Sequence, residues 1–429
     1  MVSRIPLSKR VEVEWFTWVS LAFVSALLEG GIIGVIIKNG FEGQVNNWWL
    51  NISVAIATGA PFFSNLSSFY WVKASRGKSK ANYVSKLAVV FCICCFLMGF
   101  VSFDDKGLIV FLLLIIVARL AWSGILTIRS NIWRANYPRH IRGKVTAKLT
   151  TLASLVMAVC GALIGWLLDW NIDLFKWIFF GLASISFFGA YRYRGLAVRH
   201  QQKEIISERN SKQKTTIWKS FTLLKDNRQF GKYMLAMFTL GSGNLMFMAP
   251  LIVYFNEHTT IDQLQQIIIT TAIPLALIPI AVGWWARLLD KNHIFHFRSI
   301  HSWCFVLALM IFVVAQILSM TWIYYFASLV YGIAISGGVI GWNLGHNDFV
   351  NADTKSQNKP KENPMDYMAV HVTLTGLRGL IMPLVGILFY QWLTSIDSNY
   401  GQYALLLPFS ITLMGAVLFV VFNRHQKPL

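Results

Sequence analysis

Apolar residues form long runs separated by short polar segments along almost the whole chain. Each run is about 20 residues long, the length that an α-helix needs to cross the roughly 30 Å hydrocarbon core of a bilayer. A helix also satisfies its own backbone hydrogen bonds where water is absent, so the pattern predicts an all-α integral membrane protein. The predicted transmembrane helices, numbered spans one to twelve, cover 15–37, 48–71, 84–103, 108–128, 145–168, 174–190, 234–255, 263–285, 299–319, 322–342, 368–390 and 402–422.

The longest polar stretch covers residues 191–232 and divides the spans six and six. The two sides repeat weakly, because a short basic turn follows an aromatic pair after span two and again after span eight. A repeat of six spans is typical of secondary transporters that bind their solute between two pseudo-symmetric halves. We therefore predict an N-terminal six-helix bundle over 1–190, a basic linker over 191–232 and a C-terminal six-helix bundle over 233–429.

The distribution of charged residues along the chain agrees with this arrangement of spans. The chain is 55% hydrophobic and 13% charged, with a net charge of +19, whereas soluble domains carry roughly 25% charged residues. Basic residues that flank apolar spans favour the cytoplasmic side. This rule predicts a multi-pass inner (plasma) membrane protein with a cytoplasmic linker and both termini in the cytoplasm, and it explains the net charge without nucleic-acid binding. All but five of the 38 lysines and arginines lie on the predicted inner side, the exceptions being Lys38, Lys106, Lys176, Arg119 and Arg378.

Motifs of soluble enzymes are not found in the sequence. It contains no dinucleotide-binding glycine fingerprint, no P-loop, no zinc-protease motif and no nucleophile elbow. We therefore predict a protein that is not an enzyme, needs no cofactor and draws on an ion gradient rather than on its own ATP hydrolysis. All five cysteines lie inside predicted spans, where packing is a better explanation than a metal site or a disulfide; they are Cys92, Cys94, Cys95, Cys160 and Cys304.

The arrangement of spans and turns resembles the Major Facilitator Superfamily over nearly the whole chain. That family has six plus six helices, a basic central loop, and a G-x-x-x-D-R-x-G-R-[RK] turn after spans two and eight. Here "KASRGKSK" matches the first turn without its acidic residue, and the second half has a looser version. The resemblance implies a carrier that works by alternating access, with spans one, four, seven and ten lining a central cavity. The matching residues are Gly77, Lys78 and Lys80, then Gly283, Arg287, Asp290 and Lys291, with Arg139, Arg142 and Gly143 in the turn after span four.

Three charged residues lie near the middle of predicted spans: Glu29, Arg119 and Arg378. A charge at that depth costs at least about 2.5 kcal/mol, so such residues usually face a cavity or a partner. The helical rise puts Glu29 roughly 4.5 Å from the midplane and Arg119 within about 2 Å of it. Because the resemblance places spans one and four beside the cavity, these two side chains are candidates for a proton-coupling ion pair. A static pair that joins two helices, or no contact, are the alternatives.

Arg378 extends the candidate site into the second half. A second arginine facing the cavity would favour an anionic solute, because guanidinium groups bind carboxylate and phosphate in a bidentate fork. The alternative is an arginine that donates hydrogen bonds to carbonyls of a neighbouring helix. The predicted cavity residues are Arg119, Ser123, Asn244, His371, Thr375 and Arg378.

Polar residues at the predicted inner ends of the spans are candidates for a cytoplasmic gate. Hydrogen bonds there would close the cavity to the cytoplasm, and ordinary solvation of the loops is the alternative. The predicted gate residues are Arg76, Lys78, Arg139, Arg142, Arg287, Asp290, Asn343, His346 and Asp348.

These features predict a monomeric secondary transporter in a lipid bilayer that moves a small molecule, such as a metabolite, drug or siderophore-like chelate, coupled to a proton or another ion. The second hypothesis is a transporter-like membrane sensor or assembly partner without net transport. The two hypotheses differ in whether solute flux depends on Glu29.

Overall fold

The computed structural model describes residues 7–210, 221–350 and 364–424. Within these residues the chain is helical and has no β-strand, and eleven helical stretches are long and apolar enough to cross a membrane. The remaining span, span two, is also present and is divided by a short 3₁₀ turn. The predicted all-α architecture of twelve transmembrane helices is therefore confirmed.

Most of the spans are single helices, and four are divided. The helices of the first half are Leu7–Leu27 with Gly30–Gly40, Asn47–Phe63 with Ser64–Ser67 and Ser68–Ala74, Lys80–Met98, Asp105–Asn136, Arg139–Trp170 and Phe175–Arg192. Those of the second half are Arg228–Met246 with Met248–His258, Gln263–Ile267 with Ile268–Ala272 and Ile273–Lys291, Ile294–Leu318, Thr321–Leu344, Pro364–Ile396 and Leu406–Arg424.

Several helices are longer than the apolar runs that predicted them. Spans four and five each have 32 residues and span eleven has 33. The predictions counted the bilayer core alone, whereas polar and basic residues with good helix propensity continue the same helices beyond it. The extra turns lie mainly at the end of the molecule that carries the linker. We call this end the linker face and the opposite end the far face.

Three interruptions change the course of the spans. Span one stops at Leu27 and restarts at Gly30, with Glu29 extended (φ −60°, ψ 138°) as the N-cap of the second segment. Span seven is interrupted at Phe247. Span eight contains a π-helical turn, Ile268–Ala272. Such features are frequent at functional sites, because they release backbone groups from the regular ladder.

Two helix pairs form the most extensive contacts between the two halves. Span two packs against span eleven, and span five packs against span eight. Glycines permit the close approach: a Cβ on Gly59 would lie 2.6 Å from the carbonyl oxygen of Gly379, and one on Gly165 would lie 2.8 Å from Cα of Leu264. Small residues at such crossings bring two backbones into van der Waals contact where the hydrophobic effect gives no driving force.

The linker contributes a helix, Gln201–Asn210, which docks on the turn between spans two and three. The Glu208 carboxylate accepts from the Lys80 ammonium at 2.7 Å and from the Gly77 amide at 2.7 Å. Gly77 adopts a positive φ of 65°, a conformation that favours glycine. The first part of the linker is thereby fixed to the N-terminal half.

Candidate functional site

The break in span one positions an acidic side chain next to a buried arginine. Oε1 of Glu29 lies 3.7 Å from Nη2 of Arg119, which also donates to the Leu28 carbonyl that the break releases. The Arg119 side chain is 2% exposed, and that of Glu29 is 30% exposed. Arg119 is therefore anchored to the backbone, while the carboxylate of Glu29 is partly exposed.

Immediately beyond Glu29, span one is closely packed against the other half. A Cβ on Gly31 would lie 2.2 Å from Oγ1 of Thr271 and 2.4 Å from Oγ1 of Thr270, both in the π-helical turn of span eight. A Cβ on Gly34 would lie 2.7 Å from Cδ1 of Ile252 in span seven. The glycines that follow Glu29 thus form a tight seam between the halves on its far-face side.

The same segment of span one carries a second charged pair at its other end, which the sequence analysis missed. Nζ of Lys38 lies 2.7 Å from Oε1 of Glu257 in span seven and donates to Asn51 at 3.1 Å. The second carboxylate oxygen of Glu257 accepts from the Tyr390 hydroxyl at 2.6 Å. We call Lys38, Asn51, Glu257 and Tyr390 the far-face cluster. It joins spans one, two, seven and eleven, and therefore both halves.

Further hydrogen bonds across the far face support this cluster. The Asn256 amide donates to Asn39 at 3.0 Å and to Glu42 at 3.1 Å. Asp169 at the end of span five accepts from the amides of residues 263 and 264 at 2.7 and 2.9 Å, and so caps the start of span eight. The far face is closed by direct contacts between the halves.

Polar side chains at spacings of three and four form a stripe along span four towards the linker face: Arg119, Ser123, Thr127, Ser130 and Arg134. Ser123 is buried, with its Oγ 3.4 Å from Oγ of Ser68 in span two. Thr127 is half-buried, and Ser130 and Arg134 are exposed. Exposure thus increases along the stripe from Arg119 to the linker face, as it does along the wall of a cavity that widens in that direction.

Arg378 packs between helices. It is 7% exposed and donates to the Met237 carbonyl of span seven and, at 3.3 Å, to Thr375. Gly241 leaves room for it, since a Cβ there would lie 2.1 Å from Nη1. Arg378 therefore has the geometry of the alternative interpretation, in which the arginine binds a neighbouring backbone.

The other predicted cavity residues of the second half make local contacts. Thr375 donates to the His371 carbonyl at 2.9 Å, and His371 is buried with its ring 5.4 Å from that of Trp342. Asn244 donates to the Leu240 carbonyl of its own helix at 2.9 Å. In this conformation none of these bonds reaches Glu29 or Arg119.

The predicted gate residues of the second half are bonded within that half. Asp348 accepts from the Ile294 amide at 2.8 Å and so caps span nine. Asn343 donates to the Val339 carbonyl of its own helix at 2.7 Å, and Arg287 and Asp290 are exposed. His346 is 8% exposed, and burial lowers its pKa to about 4.

The gate residues predicted for the first half lie near the docked linker helix. Arg76 is half-buried in the turn after span two, and the exposed Lys78 has its ammonium 5.1 Å from the Tyr83 ring centroid. The side chains of Arg139 and Arg142 lie outside the described part of the structure.

Two buried arginines near the linker face were missed because they lie one residue outside the predicted spans. Arg129 stacks between the rings of Trp18 and Trp133, with centroid distances of 3.2 and 4.0 Å. Arg298 contacts His301, whose Nδ1 must accept because guanidinium nitrogens only donate (3.2 Å). Nε2 of His301 consequently donates to the Ala334 carbonyl at 2.7 Å.

A third missed residue is Glu14, which is 2% exposed near the linker end of span one. Its carboxylate accepts from Trp133 at 2.9 Å, from Tyr193 at 3.2 Å and from the Tyr137 hydroxyl. The available sequence signal was an acidic residue that enters an apolar run four residues after the basic Arg10. A buried carboxyl group with three hydrogen-bond donors makes Glu14 a structural contact between spans one and four and the end of span six.

Comparison with known proteins agrees with this architecture. The sequence model of the Major Facilitator Superfamily matches residues 18–358. No curated protein matches the chain by sequence. Among solved structures, the nucleoside transporter NupG has a TM-score of 0.70 at 12% identity, with 98% of this chain and 100% of that chain covered.

Two further solved structures show the same fold. A D-xylose–proton symporter has a TM-score of 0.70 at 13% identity, with 98% and 99% of the two chains covered. A partially occluded inward-open conformation of the xylose transporter XylE from E. coli has a TM-score of 0.67 at 13% identity, with 99% of both chains covered. With most of its length matched by the family model and its twelve spans arranged in the same way, the chain belongs to the Major Facilitator Superfamily.

Proposed function

We propose that this protein is a proton-coupled secondary transporter that moves a small solute by alternating access between the bundles 1–190 and 233–429. One observation carries the proposal. The partly exposed Glu29 lies at a helix break, 3.7 Å from the anchored Arg119, directly on the linker side of the seam that separates it from the far face. A carboxylate in that position is accessible from one side of the molecule and sealed from the other.

The orientation follows from charge. The linker face carries most of the basic residues, so the positive-inside rule assigns it to the cytoplasm and the far face to the outside. In this orientation the structure is closed towards the outside, and Glu29 is reached from the cytoplasm. The far-face cluster then acts as an outer gate that must open once in each transport cycle.

Glu29 provides the proton site in this proposal. A proton on the carboxylate would remove its electrostatic attraction to Arg119. Arg119 keeps its hydrogen bond to the Leu28 carbonyl, so the arginine stays in place while Glu29 becomes free to move. Protonation thus changes how firmly the second segment of span one is held to span four.

The solute in this proposal need not be negatively charged, because Arg119 and Arg378 both donate to main-chain carbonyls in this conformation. A nucleoside transporter and a D-xylose–proton symporter share the fold. Uncharged polar solutes of those kinds are therefore the first members of a test panel, followed by organic anions and metal chelates.

The test is uptake into vesicles that contain the purified protein, with and without an imposed pH gradient. Wild type is compared with Glu29→Gln and with the matched control Glu12→Gln, an exposed carboxylate on the same span. We expect an acid-outside gradient to drive uptake in wild type and in the control. Glu29→Gln should lose the response to pH, with uptake reduced about a hundredfold, as for removal of a proton-transfer group.

Equal and equally pH-sensitive flux in wild type and Glu29→Gln would remove Glu29 from the coupling role. If no solute of the panel moved in any variant while a membrane partner co-purified with wild type, the sensor hypothesis would replace the transporter.

A further inference from the structure

A basic pocket lies at the linker face of the N-terminal half, between the end of span four and the start of the linker helix. It has a volume of about 350 Å³ and is lined by Arg134, Arg199, His200, Lys203 and Glu204. Three permanent cations thus face one carboxylate in a concave site. Neither the transport proposal nor the family signature uses these residues.

The pocket is held in shape from both sides. Asn136, which is 2% exposed, donates to the Ala197 carbonyl at 3.1 Å and accepts from the Arg199 amide at 2.9 Å. These two hydrogen bonds fix the linker segment that carries Arg199 to the end of span four. At its other end the linker helix is anchored by Glu208 on Lys80. The pocket is therefore built by the fold rather than by mobile surface side chains.

In the described part of the chain, two of the three cations in the pocket are not balanced by an ion pair. Among the residues that the structure describes, no ion pair involves Arg199 or Lys203. Arginine and lysine that converge on one cavity bind phosphate oxygens through charge-assisted hydrogen bonds. The ligand chemistry that fits is a phosphate group.

The position of the pocket favours a phosphate carried by a lipid. The pocket lies at the linker-face end of span four, Asp105–Asn136, which is the level at which a transmembrane helix meets the lipid headgroups. On the linker helix, Ile206 follows Lys203 by three residues and so shares its face, and this isoleucine is 59% exposed. A cationic pocket beside an exposed apolar side chain suits an amphiphile with an anionic head and an acyl chain.

We propose that this pocket binds the phosphate of an anionic phospholipid headgroup and so fixes the linker helix to the membrane surface. Basic pockets between helices on the cytoplasmic side are a recurrent way of binding such lipids. The inference concerns lipid binding alone and holds for any transported solute.

The test is lipid retention by the purified full-length protein, counted by native mass spectrometry after release from nanodiscs. The nanodiscs contain phosphatidylcholine with or without phosphatidylglycerol. The double variant Arg199→Gln/Lys203→Gln is compared with Lys225→Gln/Arg228→Gln, which removes the same charge from exposed linker-face positions outside the pocket. We expect the pocket variant to retain phosphatidylglycerol about tenfold more weakly than wild type or the control.

Three results would overturn the proposal. Equal loss of phosphatidylglycerol in both double variants would mean that general surface charge attracts the lipid. Unchanged retention in the pocket variant would mean that the lipid binds elsewhere. If millimolar inorganic phosphate or glycerol phosphate raised the melting temperature in pure phosphatidylcholine nanodiscs, and phosphatidylglycerol did not, the ligand would be a soluble phosphate. Equal melting temperatures of the variants in pure phosphatidylcholine verify that they are folded.

Discussion

The second segment of span one, Gly30–Gly40, carries an acid–base pair at each end, and the two pairs differ in almost every respect. At the start, Glu29 and Arg119 lie 3.7 Å apart within one half, and the carboxylate is 30% exposed. At the end, Lys38 and Glu257 lie 2.7 Å apart across the two halves, and the lysine is fully buried. Following the orientation proposed above, we call Glu29 and Arg119 the inner pair and Lys38 and Glu257 the outer pair. The inner pair has the longer distance and the more exposed carboxylate, whereas the outer pair is in direct contact and its lysine is buried.

In the transport cycle proposed above, the two ends of this short helix have different roles. The loose pair, with its partly exposed carboxylate, is the proposed site of proton exchange. A tight pair across an interface holds two bodies together, and separating it exposes a buried cation. Because nine residues of helix separate Glu29 from Lys38, a shift at one end is carried over roughly 13 Å to the other. The comparison can be tested at either end.

The largest effect is expected when the outer end cannot open. Asn39→Cys and Asn256→Cys replace side chains that bond each other across the halves at 3.0 Å. A short bis-methanethiosulfonate reagent that joins them through two disulfide bonds should abolish uptake, because the gate can no longer separate, and a thiol reductant that cleaves those bonds should restore it. Each single variant treated in the same way is the control. Persisting uptake in the cross-linked protein would show that the halves do not part at this place.

Next in size is the loss of the anchor at the inner end. Arg119→Ala leaves both Glu29 and the Leu28 carbonyl without their partner, and a buried acceptor left unsatisfied costs about 1–3 kcal/mol. We expect a strongly reduced melting temperature in detergent. Arg119→Lys keeps the charge and should lose much less stability. Equal melting temperatures for the two variants would mean that the charge of Arg119 is not what stabilises the break.

The outer pair should shift the conformational equilibrium rather than unfold the protein. Lys38→Met leaves a Glu257 that is partly exposed and keeps Tyr390 and Asn51 as donors, so we expect a change of about 1–2 kcal/mol. That corresponds to roughly tenfold faster labelling of Asn256→Cys by an impermeant maleimide. Adding Glu257→Gln, which removes the unpaired charge, should slow labelling again. If Lys38→Met/Asn256→Cys were labelled at the same rate as Asn256→Cys alone, the far-face cluster would not act as a gate.

The smallest effect is expected at His346, which lies outside the spans. A variant at this position tests whether the histidine contributes to stability or to proton coupling. Its pKa is lowered by burial from 6.5 to about 4, so the unfolded chain binds its proton more readily than the folded one. The contribution of His346 to stability therefore falls as the pH drops from about 6.5 to 4. His346→Asn should reduce the decline of the melting temperature in this window and leave the pH response of uptake unchanged. A changed uptake response would assign His346 to the coupling machinery.

The sequence predicted the architecture well, because the length of an apolar run is set directly by the thickness of the bilayer. It also selected the two partners at the inner end, since charges at mid-depth are rare enough to be noticed individually. The break beside Glu29 was not predicted, although the two glycines that follow it weaken a helix. Arg119 binds the carbonyl that the break releases, and this tertiary contact is not contained in any local pattern.

The sequence did not predict the far-face cluster, for a different reason. Lys38 was assigned to an outer turn, and Glu257 lies two residues beyond the predicted end of span seven, so both were treated as loop residues. Their contact depends on how the two halves meet. The same boundary error hid Arg129 and Arg298, each one residue outside a predicted span. An opposite-charge pair at the corresponding ends of spans one and seven is the signal that could have identified the far-face cluster.

The irregular turns of spans two and eight bear on the ancestry of the two halves. Span two contains a 3₁₀ turn at Ser64–Ser67, which is wound more tightly than an α-helix, whereas span eight contains a π-helical turn, wound more loosely. A π-helical turn holds one residue more than the regular ladder. An alignment of the first half on the second therefore slips its register within this helix pair. A gap at residues 268–272 would restore the register on both sides of the turn.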